Sequence, residues 1–161
     1  MQYSDIIFGD QNEWEIASGV PHIPFEALDE NYEIDKEAYL EYFRKMHKLF
    51  PKCKKMVMAV RNQIASSHHT LSGLLYDSQE DKLYTTRIYD IQPIIDPMGV
   101  GDAFVAAYIH AHQKWGDENQ YCLDFSLSAS AIKNTIPGDQ NLVSEEEIIH
   151  NMTSSGGRIQ R

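Results

Sequence analysis

The stretch that most constrains this chain is Asp96-Pro97-Met98-Gly99-Val100-Gly101-Asp102-Ala103-Phe104. A polar turn containing Gly99 and Gly101 runs directly into the apolar run Ala103-Phe104-Val105-Ala106-Ala107-Tyr108-Ile109, and the strand-like Ile91-Gln92-Pro93-Ile94-Ile95 precedes it. Strand, glycine turn, helix is an arrangement that offers unpaired backbone N–H groups to an anion. Glycines let the backbone approach a phosphate without a Cβ in the way. Asp102 stands where the helix begins. A carboxylate beside an anion hole is electrostatically unfavourable unless it handles a proton. Phosphoryl transfer to a hydroxyl needs both groups: donors steady the moving phosphoryl charge while a carboxylate takes the alcohol's proton. The plainer alternative is an ordinary strand-to-helix turn capped by Asp102.

Two further segments bear on that choice. Asp5-Ile6-Ile7-Phe8-Gly9 reads as a buried strand ending at glycine, followed by Asp10-Gln11-Asn12-Glu13-Trp14-Glu15-Ile16-Ala17-Ser18-Gly19. Its acids suit a helix N-terminus, where Asp and Glu are favoured in any case. Farther on, Asp124 to Lys133 is a helix rich in small residues, followed by Asn134-Thr135-Ile136-Pro137-Gly138. Small residues admit either a nucleotide base or a closely packed neighbouring helix.

Taken in this order, the segments resemble the ribokinase-like (PfkB) sugar kinases. Asp96 to Phe104 is similar to the family's D-x-x-G-A-G-D-x-F, with Val100 in place of the usual alanine. Asp10 to Gly19 is similar to N-x-x-E-A-E-x-x-x-G, with Asp10 at the asparagine and Glu13 at the glutamate. An alternative register, Asn12 with Glu15, restores N-x-x-E but breaks the spacing to Asp5 and Gly19. The resemblance implies that Asp102 is the base, that the backbone at Gly99, Val100 and Gly101 steadies the transferring phosphoryl group, and that Asp10 and Glu13 organise magnesium, largely through water. It implies a nucleotide site for ATP that includes Asn134, Gly138, Asp96 and Arg61, with the Gly138 loop helping to hold a monovalent cation. Asp10 adds a negative charge where the family has a neutral amide.

Within the family the best local likeness is to 2-keto-3-deoxygluconate kinases, carried by Tyr89 to Asp96, Gly138-Asp139-Gln140-Asn141-Leu142-Val143-Ser144 and Gly156 to Arg161. The implied fold is a ribokinase-like three-layer α/β/α unit over residues 1–161, its mostly parallel sheet carrying a β-hairpin and truncated on the N-terminal side. Family members are roughly twice this length, and their N-terminal part carries the sugar-binding residues and a lid, for which nothing here is a match. The expected function is an ATP-dependent kinase acting on a sugar-acid hydroxyl, present as a fragment. The rival is a non-catalytic nucleotide-binding or structural remnant that needs a partner chain. A sheet stripped of strands should self-associate or bind a complementary N-terminal chain.

Composition bounds the rest. A net charge of −10 and the lack of a Lys/Arg-rich run argue against general nucleic-acid binding. No apolar run approaches the ~20 residues of a membrane span. Met1-Gln2-Tyr3-Ser4-Asp5 does not read as a signal peptide. Cys53 and Cys122 lack metal-ligand spacing and suit reduced thiols in the cytoplasm.

Along the chain, Asp35 reads as an N-cap, and Tyr39, Leu40, Phe43, Met46, Leu49 and Phe50 mark an amphipathic helix before Pro51. Lys54 to Val60 reads as a buried strand and Arg61-Asn62-Gln63 as a loop whose arginine could approach a phosphate or stand exposed. His68-His69 reads as a solvated pair in a polar loop rather than a metal site. Leu71–Tyr76 and Leu83–Tyr89 read as strands joined by a turn at 77–81. The helix after Asp102 should reach about Trp115, and Gly116-Asp117 should break it before another begins at Glu118. Ser144 with Glu147 has capping-box spacing. The tail from Thr153 is polar and expected to fray.

Overall fold

The computed structural model describes residues 1–23 and 33–154. The expected fraying and the Gly156 to Arg161 likeness therefore fall outside the described residues, save for the first two tail positions.

The chain runs β1 (Ile6–Gly9), α1 (Gln11–Ser18), α2 (Lys36–Leu49), β2 (Lys55–Ala65), β3 (His68–Asp77), β4 (Lys82–Thr85), β5 (Tyr89–Ile91), α3 (Val100–Trp115), α4 (Asn119–Lys133) and α5 (Glu145–Thr153). The sheet order is β1-β2-β3-β4, with β5 also paired to β3. β1 runs parallel to β2, while β2–β3, β3–β4 and β3–β5 are antiparallel. The expected mostly parallel sheet is thus corrected to a mixed one. The cause is local: β2 and β3 are joined by a two-residue turn at Ser66-Ser67, which can only return the chain antiparallel.

That hairpin corrects two more expectations. Arg61-Asn62-Gln63 is not a loop but the continuation of β2, with Arg61 and Gln63 exposed and Asn62 buried in strict alternation. The histidine pair opens β3: His68 Nε2 lies 2.6 Å from Asp90 Oδ1, and His69 is buried. Burial, then the charges of Arg61 and His68, push the His69 pKa down. On the far side of β3, the strand expected to Tyr89 is divided. β4 ends at Thr85, and Tyr89–Ile91 pairs separately with β3.

Alternation along the strands creates two cores. Met56, Met58, Val60, Leu74 and Tyr76 face α1 and α2, against Trp14, Tyr39, Phe43 and Met46. Val57, Leu71 and Leu75 face α3, α4 and α5, against Phe104, Tyr108, Leu123 and Leu127. Helices therefore cover both sides of the sheet, as the three-layer expectation requires. Both faces of the sheet are covered; among the described residues, what remains open is an edge.

The caps are those the sequence predicts. Asp35 accepts from Ala38 N at 3.0 Å, and Ser144 and Glu147 form a reciprocal capping box. The small-residue helix α4 is used for packing. Ser126 Oγ donates to Phe104 O, Ser128 Oγ to Ile148 O and Ser130 Oγ to Val100 O, which fixes α4 against α3 and α5. Under the sheet, the buried Lys55 ammonium donates to Asp117 Oδ1 and Asn119 Oδ1, and Asn119 Nδ2 donates to Asp77 Oδ2. This ties the α3–α4 junction to β2 and β3.

Among the described residues β1 pairs with β2 alone. Tyr3 and Ile16, which flank it in sequence, are 84% and 86% exposed. An unpaired strand edge is a template for another chain. We expect the protein to self-associate, or to take up a complementary strand, at micromolar concentration in sedimentation velocity. A single monomeric species across that range would refute this.

Candidate active site

An open cleft of about 630 Å³ lies where the C-terminal end of β1 meets the start of α3. Its lining includes Gly9, Asp10 and Glu13 on one side, Arg61 on the sheet, and Gly99, Val100, Gly101 and Asp102 on the other. Segments about ninety positions apart in the sequence thus converge, and the volume is of the size of small-molecule sites.

The glycine turn owes its shape to Gly99. This residue is the N-cap of α3 with φ +74°, in the left-handed region that favours glycine. A Cβ there would lie 2.2 Å from the carbonyl oxygen of Asp139. Ala103 N closes the first helical turn on Gly99 O at 2.9 Å, so the N–H groups of Val100, Gly101 and Asp102 have no acceptor within the helix. Gly101 differs from Gly99. A Cβ there would meet nothing in the protein within 4 Å, and its φ is not positive. Neither packing nor backbone conformation requires glycine at 101; close approach by a ligand to the helix terminus would. Asp102 is exposed on the same turn.

Asp10 and Glu13 sit at the N-terminus of α1. Asp10 Oδ1 accepts from Glu13 N at 2.9 Å and Glu13 Oε2 accepts from Asp10 N at 2.9 Å. The capping reading is therefore satisfied. Each carboxylate keeps a second oxygen, and both residues line the cleft. Among the described residues no group of three or more His, Cys, Asp or Glu side chains could hold a metal ion. The donor set fits a hydrated magnesium ion, which retains its waters and needs only one or two carboxylates.

The remaining expected nucleotide residues shape the turn from behind. Asp96 Oδ1 accepts from Met98 N at 3.0 Å and Oδ2 from Gly138 N at 2.8 Å. These bonds, with a smaller contribution from the charge of Lys133, hold the Asp96 carboxyl below the usual carboxylate range. Asn134 is buried; its carbonyl accepts from Ile95 N and Asp96 N, and its side chain donates to Ser130 O. Asp96, Asn134 and Gly138 thus meet one another but do not line the cleft. Sequence reasoning missed Ser130, which lines the cleft and donates to Val100 O, and also His22 and Gln11; Asn12, weighed there only in the alternative register, lines it too. Ser130 carried no signal beyond the small-residue pattern of its helix.

No protein-family model matches the sequence, and no curated protein does. Solved structures do. A 2-dehydro-3-deoxygluconokinase from Thermotoga maritima superposes with a TM-score of 0.80 at 25% identity, over 95% of this chain and 42% of that one. The fold is ribokinase-like. A PfkB family carbohydrate kinase from Listeria grayi aligns with a TM-score of 0.66 at 27% identity, over 77% of this chain and 40% of its own. An Arabidopsis thaliana ribokinase complexed with ribose and ATP aligns with a TM-score of 0.63 at 18% identity, over 96% and 42%. The chain thus resembles PfkB carbohydrate kinases, 2-dehydro-3-deoxygluconokinase included, and spans about two fifths of their length. In this ribokinase-like frame the cleft lies beyond the C-terminal end of β1, where open α/β sheets place ligands.

Proposed function

We propose that this chain is the nucleotide-binding part of an ATP-dependent sugar kinase whose acceptor is a sugar-acid hydroxyl, 2-keto-3-deoxygluconate in the first instance. One observation carries the reading. The free first-turn amides of α3, a glycine at 101 that the protein itself does not require, and the Asp102 carboxylate stand together in one cleft. That is the pairing of anion hole and base that phosphoryl transfer to an alcohol calls for. The likeness to 2-dehydro-3-deoxygluconokinase supports the acceptor class.

ATP with magnesium would supply the phosphoryl group and partly neutralise its charge. The chain's own residues do the rest. The N–H groups of Val100, Gly101 and Asp102 donate to the phosphoryl oxygens. Asp102 accepts the hydroxyl proton as the acceptor oxygen bonds to phosphorus, and the bond to the departing diphosphate breaks. Arg61, exposed on β2 at the cleft wall, adds positive charge. Asp10 and Glu13 would hold the hydrated cation.

One observation favours a second reading. The two carboxylates already satisfy each other's backbone, so the α1 side of the cleft is stable without a cation. A remnant that binds nucleotide without turning it over would look the same. The two are separated by ¹⁵N-resolved titration with ATP and magnesium, combined with a phosphorylation assay of the chain alone and with an added N-terminal half. Binding should shift the amides of residues 99–102 first, and phosphorylated sugar acid should form in at least one of the two assays. Amide shifts without product would favour the remnant. Shifts confined to another surface would overturn both.

A further inference from the structure

The resemblance to ribokinase-like kinases implies a monovalent cation held by the Gly138 loop, and the residues present do not fit one. A bound alkali cation needs a shell of oxygens free to turn towards it. Here four oxygens of that loop pair already accept from donors. Both Asp96 carboxylate oxygens accept backbone N–H groups, at 3.0 and 2.8 Å. The Asn134 carbonyl accepts from Ile95 N at 2.8 Å and Asp96 N at 3.2 Å. The Ile136 carbonyl accepts from the ammonium of Lys133 at 2.9 Å.

Lys133 is the unusual group. It is the last residue of α4, its side chain is 0% exposed, and Ile136 O is the acceptor at its Nζ. An ammonium buried this deeply is costly unless fixed charge or dipoles compensate it. Compensation comes from the C-terminal end of α4, whose carbonyls carry partial negative charge, and from the Asp96 carboxylate across the loop pair. A cation covalently attached to the chain therefore already stands against this loop.

We propose that the Lys133 ammonium takes the place of the monovalent cation, fixing the 134–138 loop against Asp96 and so setting the glycine turn without a bound alkali ion. Lys133 acts through that turn as a positioning residue. The inference rests on the nucleotide-site reading only for its binding readout; its melting readout does not depend on it.

The test compares the 161-residue chain with Lys133→Met, which keeps the stem and removes the charge, in potassium, sodium and choline chloride at equal ionic strength. Thermal melting and the affinity for a fluorescent ATP analogue are both read. The wild type should melt at the same temperature and bind equally well in all three salts. The Met variant in choline should melt lower and bind about tenfold more weakly, and potassium should restore part of both. A potassium-specific rise in the wild-type melting temperature or affinity would overturn the proposal, and so would a Met variant indistinguishable from wild type in choline. If the variant does not fold, the wild-type salt comparison decides. If the wild type binds no nucleotide, the nucleotide reading fails while the melts still decide the role of Lys133.

Discussion

Asp102→Asn is expected to abolish nearly all phosphoryl transfer in any active form of this protein. Loss of a general base costs roughly 10²–10⁴-fold in rate. Asparagine keeps the shape and the exposed position on the first turn of α3, so the fold should be unchanged. Nucleotide affinity should hold or improve, because a negative charge leaves the neighbourhood of the phosphates. Measured together, turnover and affinity separate a base from a cap. Wild-type turnover in the mutant would remove Asp102 from the mechanism, and equal losses of turnover and melting temperature would reduce it to a structural acid.

The two glycines of the turn should behave in opposite ways. Gly99→Ala places a Cβ 2.2 Å from a backbone carbonyl at a residue with φ +74°. Neither Asp139 nor the helix start can move away cheaply. We expect a loss of about 3 kcal/mol or more, and a melting temperature lower by roughly 6–12 °C. Gly101→Ala meets open space within a helix, where alanine is favoured by up to about 1 kcal/mol. It should leave the melting temperature unchanged or raise it. Its cost should appear only when phosphate or ATP is titrated, as weaker binding. Equal destabilisation by both substitutions would mean that the turn is purely architectural. Equal anion affinity in wild type and Gly101→Ala would mean that the phosphate lies elsewhere.

How much of this was legible beforehand depended on whether the cause was local. The glycine turn, the caps at Asp35 and Ser144 and the break at Gly116 are local chemistry, and the structure has them where the sequence places them. The end of β2 was not legible in the same way. Arg61, Asn62 and Gln63 are polar, and a strand whose exposed face is polar resembles a loop until its partner is known. Only pairing with Leu71, Thr70 and His69 makes it a strand. The direction of pairing was hidden for the same reason, since alternating strands and helices suggest parallel neighbours while a two-residue turn at Ser66-Ser67 imposes the opposite. Within the site, the sequence brought Asp10, Glu13, Arg61 and the glycine turn into consideration together, and the cleft unites them. It did not show that Asp96, Asn134 and Gly138 would be occupied with one another, because that arrangement depends on hydrogen bonds between positions about forty residues apart.

The two walls of the cleft are not equally anchored. The glycine turn belongs to α3, which buries Ala103, Phe104, Ala107, Tyr108 and Ala111 and is locked to α4 by serine hydroxyls. The carboxylate wall belongs to α1, an eight-residue helix whose buried side chain is Trp14. Helices so lightly held open on their own, at a fraction of the free energy needed to unfold the whole molecule. The anion-binding wall therefore persists in states where the acidic wall has come apart. A ligand that engages Asp10 or Glu13 binds the docked state of α1 alone, so it protects that wall against opening, whereas one held by the glycine turn alone leaves α1 free to open.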